Sequence, residues 1–354
     1  NEINGSADTY TYGALWKPFD DLELRGNFTQ AIRAPAITEL FLPQATSFQF
    51  VTGDPCDDRF RTSGPNPAVR QQNCAAFLQY YGLTSFTSIA AGASIQGISG
   101  GNPNLENEES EAETLGFTWS PSFIDGFSLA ADWYRIEIDN VITSLTAAQL
   151  AQACFDSTSF NVNDVPNANN FCSAITRNPP GDPTLAGQAI TFVSGFVNGR
   201  YYNMEAYSAQ ATYLLDTDNL GRFVFSYTGY FPQELTINTT GINPDPARGE
   251  IGTSSEQHQL NVGWSQGALE LNAQVNYLSE AVFDLLANEE ARDIPGVGDY
   301  YLVNAGGSYQ LSEGLRLRLT VTNLFDEKPP FPTTGIGVYD ILGRRYNVSF
   351  DWKL

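Results

Sequence analysis

Positive charge is scarce in this chain of 354 residues. Eighteen Lys+Arg stand against forty Asp+Glu, a formal net charge of −22, and lysine occurs only at Lys17, Lys328 and Lys353. A nucleic-acid partner needs a basic footprint, so that class of partner is excluded. His258 is the one histidine, which removes zinc sites and catalytic triads built on several imidazoles. No apolar run approaches the roughly 18 residues that a transmembrane helix requires. A nucleophile elbow, a P-loop and a dinucleotide fingerprint are also missing, and no enzymatic reading is supported. The chain starts at Asn1, with neither a methionine nor an apolar leader, so we expect a mature or truncated product. Disorder is excluded too, because only 16% of residues are charged and 13% are aromatic.

Cysteine is rare but placed in local pairs. Cys56 and Cys74 are neighbours in sequence, and Cys154 and Cys172 repeat their separation. Each pair lies in a stretch rich in Pro, Asn, Asp and Gly, which reads as irregular loop. Local pairs in long loops point to two loop-stapling disulfides and an oxidising compartment. Four free thiols are the alternative.

What the sequence has in quantity is alternation. Leu315, Leu317, Leu319 and Val321 interleave with Arg316, Arg318, Thr320 and Thr322, and Leu269–Tyr277 and Tyr346–Leu354 repeat the pattern. Period two is the signature of a strand with one apolar face. Further segments near 8–17, 21–33, 110–120, 127–138, 200–215, 220–231, 256–266 and 299–311 bring the expectation to about eleven strands, many near the roughly 9–11 residues that cross a bilayer. Tight links (Pro18–Asp21, Ser120–Gly126, Asp216–Leu220, Gln266–Gly267, Ser312–Gly314) alternate with long ones at 34–109, 139–199, 232–255, 284–298 and 327–340. In an up-and-down antiparallel sheet, that alternation puts every tight turn at one end and every long loop at the other. Outer-membrane barrels are built this way, and a soluble sandwich has no reason to sort its links so strictly. Tyr10, Tyr12, Trp16, Trp119, Trp133, Tyr134, Trp264, Tyr300, Tyr301, Tyr309 and Trp352 near strand ends suggest interfacial girdles.

Several segments resemble the TonB-dependent outer-membrane receptors. Arg25–Phe41 (RGNFTQAIRAPAITELF), Gly101–Phe117 (GNPNLENEESEAETLGF), Asp132–Ile142 (DWYRIEIDNVI), Thr322–Pro330 (TNLFDEKPP) and Tyr339–Tyr346 (YDILGRRY) are similar to motifs of that family, in its order. The terminal strand resembles the sorting signal read by the barrel-assembly machinery, with Leu354 where the family has an aromatic residue. The resemblance implies an all-β, antiparallel up-and-down transmembrane barrel of about 22 strands, of which residues 1–354 are the C-terminal portion, with neither plug nor TonB box. It also implies active transport of a scarce ligand of the siderophore, cobalamin or oligosaccharide class. Its implied partners are outer-membrane lipid and lipopolysaccharide, the TonB–ExbB–ExbD machinery through the plug, and a small-molecule or oligosaccharide ligand. A surface-assembling β-sheet protein and a passive porin are the other readings.

Ligand contacts are expected on the two stapled loops, at Phe48, Phe50, Arg59, Arg61, Tyr80, Tyr81 and Phe86, because loops on a rigid scaffold carry recognition. The alternative is that these side chains only pack the loop. Arg316 and Arg318 would face the barrel interior, to guide an anion or to pair with acidic neighbours. No cofactor is expected. Calcium in acidic loops is the one exception considered, at the run Glu106, Glu108, Glu109, Glu111 and Glu113, where a solvated loop is the plainer reading. Asp216–Gly221 starts like a calcium loop but has Leu220 where an oxygen ligand is wanted. His258 is expected at the interior or the rim.

Overall fold

The computed structural model describes residues 8–286, 293–333 and 337–352. Eleven strands follow one another in an antiparallel meander, each pairing with the next. They are β1 (Tyr10–Phe19), β2 (Leu22–Arg33), β3 (Glu108–Trp119), β4 (Phe127–Asp139), β5 (Tyr201–Thr217) and β6 (Gly221–Asn238). After them come β7 (Gln257–Gln266), β8 (Leu269–Leu278), β9 (Tyr300–Ser312), β10 (Leu315–Thr322) and β11 (Arg345–Trp352). The sheet is open: β1 and β11 stand at its two edges. Tight turns join β1 to β2, β3 to β4, β5 to β6, β7 to β8 and β9 to β10, and long connections join the rest. Parts of the expected links at 284–298 and 327–340, and Leu354, lie outside the described residues.

The register separates two faces. Leu24, Phe117 and Ala131 lie in one row, and Phe225, Val262, Ala273, Ala305 and Val321 in another on the same face. Among the described residues no protein layer covers this apolar face: Leu115, Leu271, Leu319, Val348 and Phe350 are all exposed. The opposite face is hydrophilic. Gln259, Asn261, Gln274, Asn276 and Asn304 interlock their carboxamides across β7, β8 and β9 at 2.9–3.3 Å. Arg25 of β2 reaches over Gly116 to Asp132 of β4, with bonds of 2.8 and 2.7 Å. A Cβ at position 116 would lie 2.0 Å from the Asp132 carboxylate, so glycine is what lets this ion pair span the middle strand.

Two sequence expectations shift on the structure. β6 runs on to Asn238 through Pro232 instead of stopping near 231. A bulge opposite Glu205 and Ala206 takes up the irregularity, the usual way a strand tolerates proline. Tyr134 and Tyr300 have the wrong parity for the apolar face; Tyr300 is buried against Tyr339. His258 takes the rim, one of its two expected places: second in β7 at the long-loop end, it pairs with Tyr277 in the row of outward aromatics. It stacks on Tyr277 at 5.3 Å and takes a 2.9 Å hydrogen bond at Nδ1 from or to the Tyr227 hydroxyl.

Candidate functional site: a stapled cap over the long-loop end

The expected irregular loops 34–109 and 139–199 fold into a body of their own. The first carries α1 (Ile37–Phe41), a strand Ala45–Gln49, α2 (Pro67–Tyr81) and a strand Ile95–Ser99. The second carries α3 (Ala147–Asp156), α4 (Asn170–Ser173) and strands Ile175–Arg177 and Ala189–Val193. α2 begins at a proline, pre-set for a first helical turn, and ends at Gly82 in the left-handed conformation. α3 starts on a capping box in which Thr146 Oγ1 accepts from the Gln149 amide at 3.2 Å. The four strands form one sheet in which Ile95–Ser99 and Ala189–Val193, one from each loop, run parallel side by side.

The two large cores of the cap mix the two loops. Disulfides Cys56–Cys74 and Cys154–Cys172 sit among Phe77, Tyr81, Phe86, Phe155 and Phe160. Val51, Ile95, Leu150, Ile175 and Phe192 form the second cluster. Ion pairs buried between the loops lock the arrangement. Arg70 of α2 grips Asp156 of α3 through two bonds of 2.6 Å, and Asn243 of the third long loop adds a 2.8 Å bond to the same carboxylate. Arg177 pairs with Asp54 at 3.2 Å and lies over the rings of Phe77 and Phe155. Asp57, fully buried, accepts from the Arg59 guanidinium and from the amides of Arg59 and Ser88 at 2.8–3.0 Å. Burial raises its carboxyl, but these hydrogen bonds outweigh it and hold the group below the usual carboxylate range.

Cavities in this body include two lined by charged side chains. One of about 280 Å³ is lined by Phe77, Tyr80, Tyr81, Phe155 and Arg177 among others. The second, of about 490 Å³, lies between the cap and the next two long loops and holds Asp245, Glu250 and Asp284. Burial and the nearby Asp284 carboxylate push Asp245 up; burial also pushes Glu250 up, and the same neighbours add to it. No cation pairs with these three carboxylates among the described residues.

The residues singled out from sequence therefore divide. Tyr81 and Phe86 are buried in the core, and Tyr80 is exposed at the rim of the smaller cavity. Phe48 and Phe50 are exposed; Phe48 shares the outer face of the cap sheet with Ile98 and Val193. Arg59 and Arg61 are spent on Asp57 and Asp58. Arg316 and Arg318 do lie on the polar face, but on β10 beside the tight turns, away from the cap. There Arg316 meets Gln310 and Glu270, and Arg318 meets Asp351. Glu108 binds Arg33 and the Ile142 amide, and no metal-ligating cluster of three or more occurs among the described residues. Asp216 pairs with Arg222 across a plain turn. The residues that sequence reasoning missed are Asp54, Arg70, Asp156 and Arg177. Their one signal was charge lodged beside cysteines.

An open meander with a bare apolar face, a polar face and one capped end is the wall of a transmembrane β-barrel. The chain belongs to the β-barrel family of TonB-dependent receptors: the family described as "TonB dependent receptor-like, beta-barrel" matches residues 1–324. This is a family of outer-membrane transport receptors and not of enzymes. No curated protein sequence matches the chain. Among solved structures it is similar to a mutant of the ferric enterobactin receptor PfeA from Pseudomonas aeruginosa, in complex with enterobactin. The identity is 16% and the TM-score 0.60, covering 99% of this chain and 41% of that one. It is also similar to the siderophore receptor PirA from Acinetobacter baumannii, at 13% identity and TM-score 0.58, with 99% and 41% covered. The chain thus spans 41% of the length of these structures, and at this identity the likeness concerns the fold.

Proposed function

We propose that this chain is part of a barrel wall in a bacterial outer membrane, and that the receptor it belongs to takes up a scarce ligand with energy delivered by TonB. One observation carries the reading. The sheet leaves its apolar face uncovered, while the long loops hold the only large hydrophobic clusters among the described residues. Water does not tolerate a bare face of that size, but lipid does. The outward side then meets lipid and lipopolysaccharide, and the cap stands on the extracellular side, where its disulfides survive. The cap captures, and the carboxamide-lined polar face borders the path inward. Because catalysis is not involved, binding energy serves selectivity and gating.

The test is uptake by cells making the full-length receptor, with radiolabelled ferric siderophores, cobalamin and oligosaccharides as probes. Uptake of one class that stops when TonB is deleted or the proton gradient is collapsed supports the reading. Uptake that persists in both conditions makes the protein a passive porin and contradicts it.

A further inference from the structure

We infer that the smaller cavity of the cap is a subsite for one uncharged sugar residue. The inference deepens the receptor reading by naming a ligand class, and it rests on that reading for the use made of the bound sugar. Arg177 is its centre. The Arg177 side chain is 8% exposed, and Nη1 donates to Asp54 Oδ2 at 3.2 Å and to the Gly187 carbonyl at 3.0 Å. Nη2 is enclosed and has no acceptor among the described residues. A buried donor left unpaired is costly, and the cavity that Arg177 lines is the space from which an oxygen can be supplied.

Charge decides which oxygen. Asp54 already balances Arg177, and Arg59 balances Asp57. Among the described residues no second cation lines this cavity, so a carboxylate or phosphate would bring an uncompensated negative charge beside a buried aspartate. A neutral hydroxyl or ring oxygen accepts the Arg177 proton without that penalty. The walls fit the same chemistry. Tyr80, exposed at the rim and held edge to face on the buried Tyr81 at 4.9 Å, offers ring surface, while Asn167 and Thr176 offer hydrogen-bonding groups. A pyranose has C–H faces for the former and hydroxyls on its rim for the latter. At about 280 Å³ the cavity holds a single ring and not a large chelate.

Saturation-transfer NMR and calorimetry on the intact protein in a sugar-free detergent test this. Methyl β-D-glucopyranoside, methyl β-D-galactopyranoside and N-acetylglucosamine serve as neutral probes, with benzoate as the anionic ring. At least one sugar is expected to bind and benzoate to fail. Tyr80→Ala, which alters a rim residue outside the core, and Arg177→Lys, which keeps the charge opposite Asp54, are each expected to weaken binding at least tenfold. Should Arg177→Lys misfold, Tyr80→Ala decides alone. Binding of benzoate in place of sugars, no binding by any probe, or sugar binding unchanged in a folded Tyr80→Ala protein would overturn the subsite. Sugar binding that survives while TonB-dependent uptake is absent would leave the subsite standing and remove the transport reading.

Discussion

The strand meander and the loop cap solve the burial problem in opposite ways. In the cap, Phe77, Phe155 and Phe192 are buried, and two disulfides and two buried ion pairs hold the body together. On the meander, Leu319 is 47% and Phe350 64% exposed, although both sit in regular strands that pair in register with each other. A protein made for water buries its sheet and lets its loops vary. Here the sheet leaves its apolar side to the surroundings, and the loops carry their own cores. The cap buries cores of its own, whereas the wall keeps its apolar face outward.

The largest effect should come from cutting the cap's central ion pair. Arg70→Ala strands Asp156 without its guanidinium, and breaking such a buried pair costs about 3–5 kcal/mol. Hydrogen exchange should show α2 and α3 opening while β7 to β10 stay protected. Loss of protection in the strands as well would mean that cap and wall are not separate. The wall is tested by two neighbours on β10. Leu319→Arg, on the apolar face, should cost about 2–4 kcal/mol in bilayers, whereas Thr320→Arg, on the polar face, should be close to neutral. Equal effects in urea titrations of the folded barrel would contradict the assignment of faces.

Removing one staple should cost about 3 kcal/mol in the loop-closure account. Cys154→Ser with Cys172→Ser should therefore lower protection around α3 and α4 and leave the strands unchanged. The smallest effect is acid sensitivity at Asp57. Its lowered folded value stabilises the cap above the ordinary carboxylate range, near about 3.9, and that contribution is lost as pH falls through the lower folded value. Exchange in the cap should rise below about pH 4, and Asp57→Asn should reduce that dependence, with Glu108 and Asp182, also held below the usual carboxylate range, carrying the rest. A cap equally stable in acid with Asp57 intact would count against the buried carboxylate.

The same contrast explains what could be read in advance. Strand alternation depends only on a side chain's own polarity, so the meander, its turns and even the sorting of its links were legible from positions such as Leu315–Thr322. The extension of β6 was hidden because Pro232 looks like a stop until a bulge accommodates it. The cap resisted for another reason. The buried positions of α2 are Arg70, Asn73, Cys74, Phe77 and Tyr81, which have helical spacing, but the first two are polar. They are buried because Asp156 and the carbonyls of Phe155 and Ser157 await them from the other loop. A hydrophobic pattern does not reveal such partners. For the same reason, Tyr81 and Phe86 looked available for a ligand and proved to be core, and Arg177 passed unnoticed.

The central claim is that the apolar face of the meander meets lipid and the polar face does not. Spin labels placed singly at Leu317, Arg318, Leu319, Thr320 and Val321 of the protein in bilayers test it directly. The relaxing agents are molecular oxygen, which partitions into lipid, and a water-soluble nickel chelate. The account predicts strict alternation, with oxygen dominating at 317, 319 and 321 and nickel at 318 and 320. Uniform access of the nickel chelate along the strand would contradict it.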